Sequence, residues 1–199
     1  MRFLFVVVSL LGLVACQPTP LKLAETTVHY SEPKALLPFA IQDQFGKTLT
    51  NEALQSHWTW LFLGYTSCPD ICPMTLAKLA AAKKKLPNHK VQIWFVSVDP
   101  NRDTEEKREA YTAYFGEDIV GATAPHDVLF PFVRSLGLVY AIGDSNQAEY
   151  QVDHSASVAL VNPKGELVAM FKPEFALGKV PLINQDNLTR DFIAISALY

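Results

Sequence analysis

The sequence predicts an α/β domain in which a central mixed sheet is flanked by helices. Three observations point there: the apolar, aromatic-rich runs Trp58 to Tyr65 and Val91 to Val98, the helically spaced stretch between them, and a later pair of extended runs broken by Asn162-Pro163-Lys164-Gly165. Bulky apolar runs of that kind read as strands buried on both faces. A strand, a helix and a second such strand in succession favour a parallel pair joined by a right-handed crossover.

The elements follow in chain order. Phe39 to Thr50 contains Asp43-Gln44-Phe45-Gly46, a turn signal between two short extended runs, and reads as an N-terminal β-hairpin extension. Pro73 to Leu86 carries Leu76, Leu79 and Ala80 in helical spacing and ends in Lys83, Lys84 and Lys85. Cations there complement the negative end of the helix dipole, which makes the run a solvated helix terminus. Asp103 followed by Glu106 resembles a capping box and starts a helix through about Phe115. Pro125 suits a further helix start, with Val128, Leu129, Phe132, Val133 and Leu136 as its apolar stripe. Ser157 to Val161 and Glu166 to Phe171 form an antiparallel hairpin, and a last helix from about Gln185 places Leu188, Phe192 and Ile195 on one face. A βαβ half followed by a ββα half is the thioredoxin-like order.

Arg2 is followed by Phe3 to Ala15, apolar and small residues only, and then by Cys16. A charged start with a short apolar core is an export signal; a bilayer-spanning helix needs about 20 apolar residues. Leu13-Val14-Ala15-Cys16 resembles the lipobox of bacterial lipoproteins, in which cleavage precedes the cysteine and that cysteine carries the lipid. Residues 1–15 are then a signal peptide, 16–38 a polar tether anchored to the membrane through the lipid on Cys16, and 39–199 a single domain. An ordinary secretory signal is the simpler alternative. Either way the domain is expected outside the cytoplasm, in the periplasm of a bacterial cell envelope, where disulfides persist. Gln17 follows the bacterial pattern for release from the inner membrane. A net charge of −3 and a pI near 5.9 argue against a nucleic-acid partner.

With Cys16 set aside, Cys68 and Cys72 are the cysteines left, in Cys68-Pro69-Asp70-Ile71-Cys72-Pro73. Proline suits the first helical position, which makes Cys72 the N-cap and puts Cys68 in the preceding loop. A helix N-terminus stabilises thiolate, the form that binds metal and attacks disulfides. Sulfurs four residues apart over such a turn can bond each other or share one ion, so a structural disulfide, a redox couple and a metal clamp all stay open.

Three segments carry a resemblance. Phe62-Leu63-Gly64-Tyr65-Thr66-Ser67 running into the cysteine motif, Val96-Ser97-Val98-Asp99-Pro100-Asn101-Arg102-Asp103-Thr104, and Val152-Asp153-His154-Ser155 together resemble the Sco/SenC family of thioredoxin-like, copper-binding proteins. The resemblance implies that Cys68, Cys72 and His154 bind one copper ion. It further implies that the protein delivers copper to, or prepares the thiols of, the copper A centre of cytochrome c oxidase, so the expected partner is the copper-bearing oxidase subunit or another periplasmic copper protein. The chemistry agrees: two thiolates and an imidazole suit Cu(I), and Cu(II) can add water or a carboxylate, whereas zinc usually recruits four ligands. Asp153 is a candidate supporting partner for His154, and Asp70 either orients a cysteine or shapes the bend after Pro69. Asp99 and Arg102 read as an ion pair shaping their loop.

The alternative is a metal-independent thiol-disulfide reductase cycling Cys68 and Cys72, for which an accessible low-pKa thiolate and a resolving partner suffice. Against it, generic thioredoxin-fold reductases carry a cis-proline where Val152-Asp153-His154-Ser155 stands here. A peroxidase of the peroxiredoxin kind would want threonine three residues before its cysteine, and Thr66 is two before Cys68. A reversible carrier is therefore expected, not a high-turnover enzyme.

Overall fold

The computed structural model describes residues 21–143 and 150–199. In chain order these form β1 (Thr27–Ala35), β2 (Ile41–Gln42), β3 (Thr48–Leu49), β4 (Trp58–Gly64), α1 (Ile71–Lys84), β5 (Val91–Ser97), α2 (Glu105–Phe115), β6 (Ile119–Ala122), α3 (His126–Ser135), β7 (Tyr140–Ile142), β8 (Val152–His154), β9 (Val158–Val161), β10 (Glu166–Phe171) and α4 (Gln185–Ser196). A six-stranded sheet runs β1-β10-β9-β4-β5-β6. β4, β5 and β6 are parallel, while β9, β10 and β1 join antiparallel, so the sheet is mixed as expected. β2 pairs with β3 and β7 with β8 in two small hairpins.

All of β4 is buried because both faces of the sheet are covered. Trp60, Phe62 and Phe95 point to α1 and α4, where they pack with Leu76, Leu79, Leu188, Phe192 and Ile195. Leu61, Leu63, Trp94 and Val96 point the other way, against Leu129, Phe132 and Val133 of α3 and Ile41 and Leu49 of the β2–β3 hairpin. The alternation is the two-residue period of a strand read on both sides. Trp60 and Phe192 meet edge-on with centroids 5.4 Å apart, a geometry aromatic quadrupoles favour.

Three local expectations are corrected. α1 begins at Ile71 with Asp70 as the residue before it, so Cys72 lies inside the first turn and is not the N-cap. Pro73 is tolerated there because first-turn N–H groups have no intrahelical acceptor to lose. α2 is capped by Thr104, whose side chain accepts from the Lys107 N–H; Asp103 is withdrawn into the interior. Part of the stretch read as tether forms β1, paired antiparallel to β10 with Thr27 opposite Phe171. As an edge strand it accommodates Pro33, which a central strand would exclude. β6 and the β7–β8 hairpin had no sequence signal, being too short for periodicity to register. The lysine run ends α1 as expected, with Lys83 paired to Asp118 and Lys85 to Asp186. No helix among the described residues is long and apolar enough to cross a membrane.

Candidate metal centre

The segment 65–70 leaves the carboxyl end of β4, where α/β folds collect their sites. Within it the Cys68 N–H donates to the Tyr65 carbonyl at 3.1 Å, turning the half-exposed Cys68 thiol toward the start of α1. Cys72 is fully buried there, because α1 is pinned to the sheet by Leu76 and Leu79. Both cysteines are free thiols. His154 arrives on β8, opposite Tyr140 of β7, and its Nε2 lies 3.4 Å from the Cys72 sulfur. One donor atom from each of Cys68, Cys72 and His154 lies within 4.8 Å of the other two, the only such convergence of metal-ligating side chains among the described residues. Donors around one ion at bond lengths of about 2.0–2.3 Å stand up to about 4.6 Å apart, so these three need only slight rotation to share one.

The imidazole is oriented for that role. Its Nδ1 faces the Ser155 carbonyl at 3.1 Å, so a proton held on Nδ1 leaves the Nε2 lone pair free to ligate. The rings of Phe62 and Tyr65 stand edge-on to it, centroids 6.0 and 6.1 Å away. The thiols are unequal. A hydrogen bond from the Cys72 thiol holds the Cys68 thiol far below the usual thiol range, against its partial burial. The same bond, together with burial, pushes Cys72 upward. The pair therefore gives up one proton easily and the second reluctantly until a cation replaces it. Burial and the Cys68 charge push the Tyr65 hydroxyl up to about 12, which keeps it neutral.

The SCO1/SenC family model matches residues 29–180. The chain belongs to that family. It is 35% identical over 137 residues to Protein SCO1 homolog 1, mitochondrial, of Arabidopsis thaliana, covering 67% of this chain but 41% of that one. It is 30% identical to the SCO2-like protein of Rickettsia conorii, over 67% of each. The crystal structure of Arabidopsis thaliana ScoI with copper bound superposes with a TM-score of 0.69 at 31% identity, over 82% of this chain and 98% of that one. The thioredoxin-like fold expected from the element order is the fold observed.

In this SCO1/SenC domain the cysteine segment is tied down by a residue whose role the sequence did not disclose. Asp103, fully buried, accepts from the Thr66 N–H (2.9 Å), the Thr66 hydroxyl (2.6 Å) and the Ser97 hydroxyl (2.6 Å). Buried Arg108 fixes the other side by donating to the carbonyls of Asp103, Gly121 and Asp43 at 2.6, 3.0 and 3.0 Å. Asp103→Asn keeps the shape but turns an amide N–H2 toward donors. It is expected to lower stability by about 2 kcal/mol, read as a shifted urea midpoint with faster hydrogen exchange at Thr66. An unchanged midpoint would show that the carboxylate does not hold the segment.

The remaining predicted residues divide. Asp99 and Arg102 form the expected ion pair, with the Tyr150 hydroxyl also donating to Asp99. The Arg102 guanidinium lies 3.7 Å from the Tyr150 ring centroid and 5.7 Å from that of Tyr65, linking the 65–70 segment to the residues that lead into β8 and His154. Asp70 and Asp153 are exposed and rim a cleft that also exposes Cys68 and His154. The bond expected from Asp153 to His154 is supplied instead by the Ser155 carbonyl. Cys16 and the signal region lie outside the described residues. Gly64 had a faint signal, a glycine closing an otherwise bulky strand; a Cβ there would stand 2.9 Å from the Cys72 sulfur.

Proposed function

We propose that this protein is a copper carrier: Cys68, Cys72 and His154 hold one copper ion as cargo, and the domain passes it to a periplasmic acceptor. The acceptor that fits the family resemblance is the copper A centre of cytochrome c oxidase, whose thiols the same pair can alternatively prepare. The observation that carries this reading is the approach of two sulfurs and one imidazole nitrogen within 4.8 Å, a soft, low-coordinate set suited to Cu(I). The inequality of the thiols suits transfer. Half-exposed Cys68 is the ligand an incoming donor reaches first, while buried Cys72 stays fixed by α1. Exchange of one ligand at a time lets the ion move without being released to water. The domain is read as exported and held at the bacterial envelope by a lipid on Cys16.

Titration of the reduced protein with Cu(I) and with Cu(II), beside His154→Ala, tests the assignment. One tightly bound copper per chain is expected, weakened by more than about 10-fold to 100-fold in the variant, the loss that removing even a ligand's supporting partner brings. Copper binding indifferent to His154 would overturn the three-ligand site. A second reading, metal-independent thiol-disulfide exchange, draws on the free state of both cysteines and the depressed Cys68 thiol. It would gain if the reduced chain took up no tight copper yet reduced a model disulfide.

A further inference from the structure

Apolar side chains gather on the surface in the connection between β10 and α4. Residues 174–180 are all exposed, among them Phe175 at 81%, Leu177 at 104% and Val180 at 40%. Gly178, with φ of +71° and open space within 4 Å of where a Cβ would stand, makes the turn at the tip. Single exposed leucines are ordinary, but a loop tip built of three large apolar residues marks a contact surface. Lys78, Lys85 and Lys179 line the groove between this loop and α1, about 590 Å³ in volume, together with Glu174 and Asp186. An apolar tip flanked by Lys78 and Lys179, with Lys85 engaged by Asp186, matches the chemistry of a phospholipid surface, with acyl chains beneath anionic phosphates.

The N-terminal part of the chain fixes which surface reaches this tip. Ala24, Glu25 and Thr26 share a groove with Phe175 and Arg190, and the Lys172 N–H donates to the Thr26 carbonyl at 2.8 Å. The Ala24 N–H and the Thr27 hydroxyl donate to the buried Asp191 carboxylate at 2.9 and 2.6 Å. The chain toward Cys16 therefore leaves the domain beside the apolar loop. Cys16 is eight residues before Ala24, and a chain spans at most about 3.6 Å per residue, or about 29 Å here. A lipid on Cys16 would keep the point where the chain leaves the domain, beside this loop, within that reach of its bilayer.

We propose that the 174–180 loop is a membrane-contacting tip. Phe175, Leu177 and Val180 enter the headgroup boundary of the bilayer that carries the Cys16 lipid, and Lys78 and Lys179 meet its phosphates. The inference rests on the lipid-anchor reading. It turns a loose leash into an oriented attachment. Phe171, the last residue of β10, is in register with Val158 and through it with Phe62 of β4, so the loop leaves the sheet at the end that carries the metal centre. Contact at the tip thus sets how the cleft around His154 faces the membrane.

The test places a tryptophan in the tip. The full chain, processed in a bacterial host, is reconstituted in phosphatidylethanolamine and phosphatidylglycerol vesicles with or without acyl-brominated lipid, a short-range quencher. Three proteins are compared: the parent, whose Trp58, Trp60 and Trp94 are all buried, Leu177→Trp in the tip, and Phe45→Trp at an exposed apolar position in the β2–β3 turn. The expected result is loss of the added emission in Leu177→Trp alone. Equal emission with and without bromine in Leu177→Trp, or equal quenching of Phe45→Trp, overturns the proposal. The mass of the mature chain reports the lipid on Cys16 separately. Lipid present without quenching sinks the tip alone; quenching by added vesicles without lipid sinks the anchor alone.

Discussion

Oxidation of Cys68 and Cys72 to a disulfide is expected to abolish tight copper binding. Both thiols are free and their sulfurs lie within the 4.8 Å donor cluster, so a mild two-electron oxidant such as diamide can join them with loss of two protons. The bond consumes both thiolate donors and leaves the His154 imidazole alone, and a single nitrogen is a poor holder of a soft ion. The affinity for Cu(I) should fall by at least about three orders of magnitude, close to 4 kcal/mol at about 1.4 kcal/mol per decade. Competition against a chromophoric Cu(I) chelator, before and after diamide and again after re-reduction, measures it. Oxidised protein that binds Cu(I) as tightly as reduced protein would remove the cysteines from the ligand set. Re-reduction should restore binding, which separates this effect from unfolding.

The second large effect is expected at Gly64. A Cβ at this position would stand 2.5 Å from Cε2 of Phe95 and 2.9 Å from the Cys72 sulfur, closer than either neighbour tolerates. Phe95 is fully buried in the layer under α1 and Cys72 is held by the helix, so neither can move without disturbing the core. Gly64→Ala should therefore cost about 3 kcal/mol, the upper end for overpacking, and Gly64→Val more. Because the clash falls on a proposed ligand, copper affinity should drop along with the urea midpoint, whereas an ordinary core substitution would lower only the midpoint. Unchanged stability and unchanged copper uptake in Gly64→Ala would show that the backbone relaxes and that the close packing around Cys72 has no role.

The cysteine motif was legible because its geometry is local. Four residues of covalent spacing and a proline that must sit in a first helical turn bring two sulfurs to a helix start, whichever residue is the cap. The strands β4 and β5 were legible for a similar reason: a run of large apolar residues has nowhere to go but a sheet covered on both faces. The edge strand β1 was not, since Thr27–Ala35 carries Ser31, Glu32 and Pro33 and forms a strand only because β10 offers it hydrogen-bond partners. Asp103 shows the same limit. Beside Glu106 it looked like half of a helix cap, yet the hydroxyls of Thr66 and Ser97, 37 and 6 residues away, draw its carboxylate inward.

His154 marks where local inference stops. Alone it was one histidine beside a strand, and only the family resemblance singled it out. It lies 82 residues from Cys72, and what brings its Nε2 to the sulfur is the short β7–β8 pairing, packed beside Tyr65 and tied through Tyr150 and Arg102 to the cysteine segment. From the sequence by itself came the α/β class and the thiol pair at a helix start, both carried by residues close together in the chain. The tertiary structure alone decided the convergence of the three donors, the partner of the imidazole and the exclusion of any side chain at position 64. Those depend on contacts between distant segments, and no local spacing encodes a contact until the sheet has set its register.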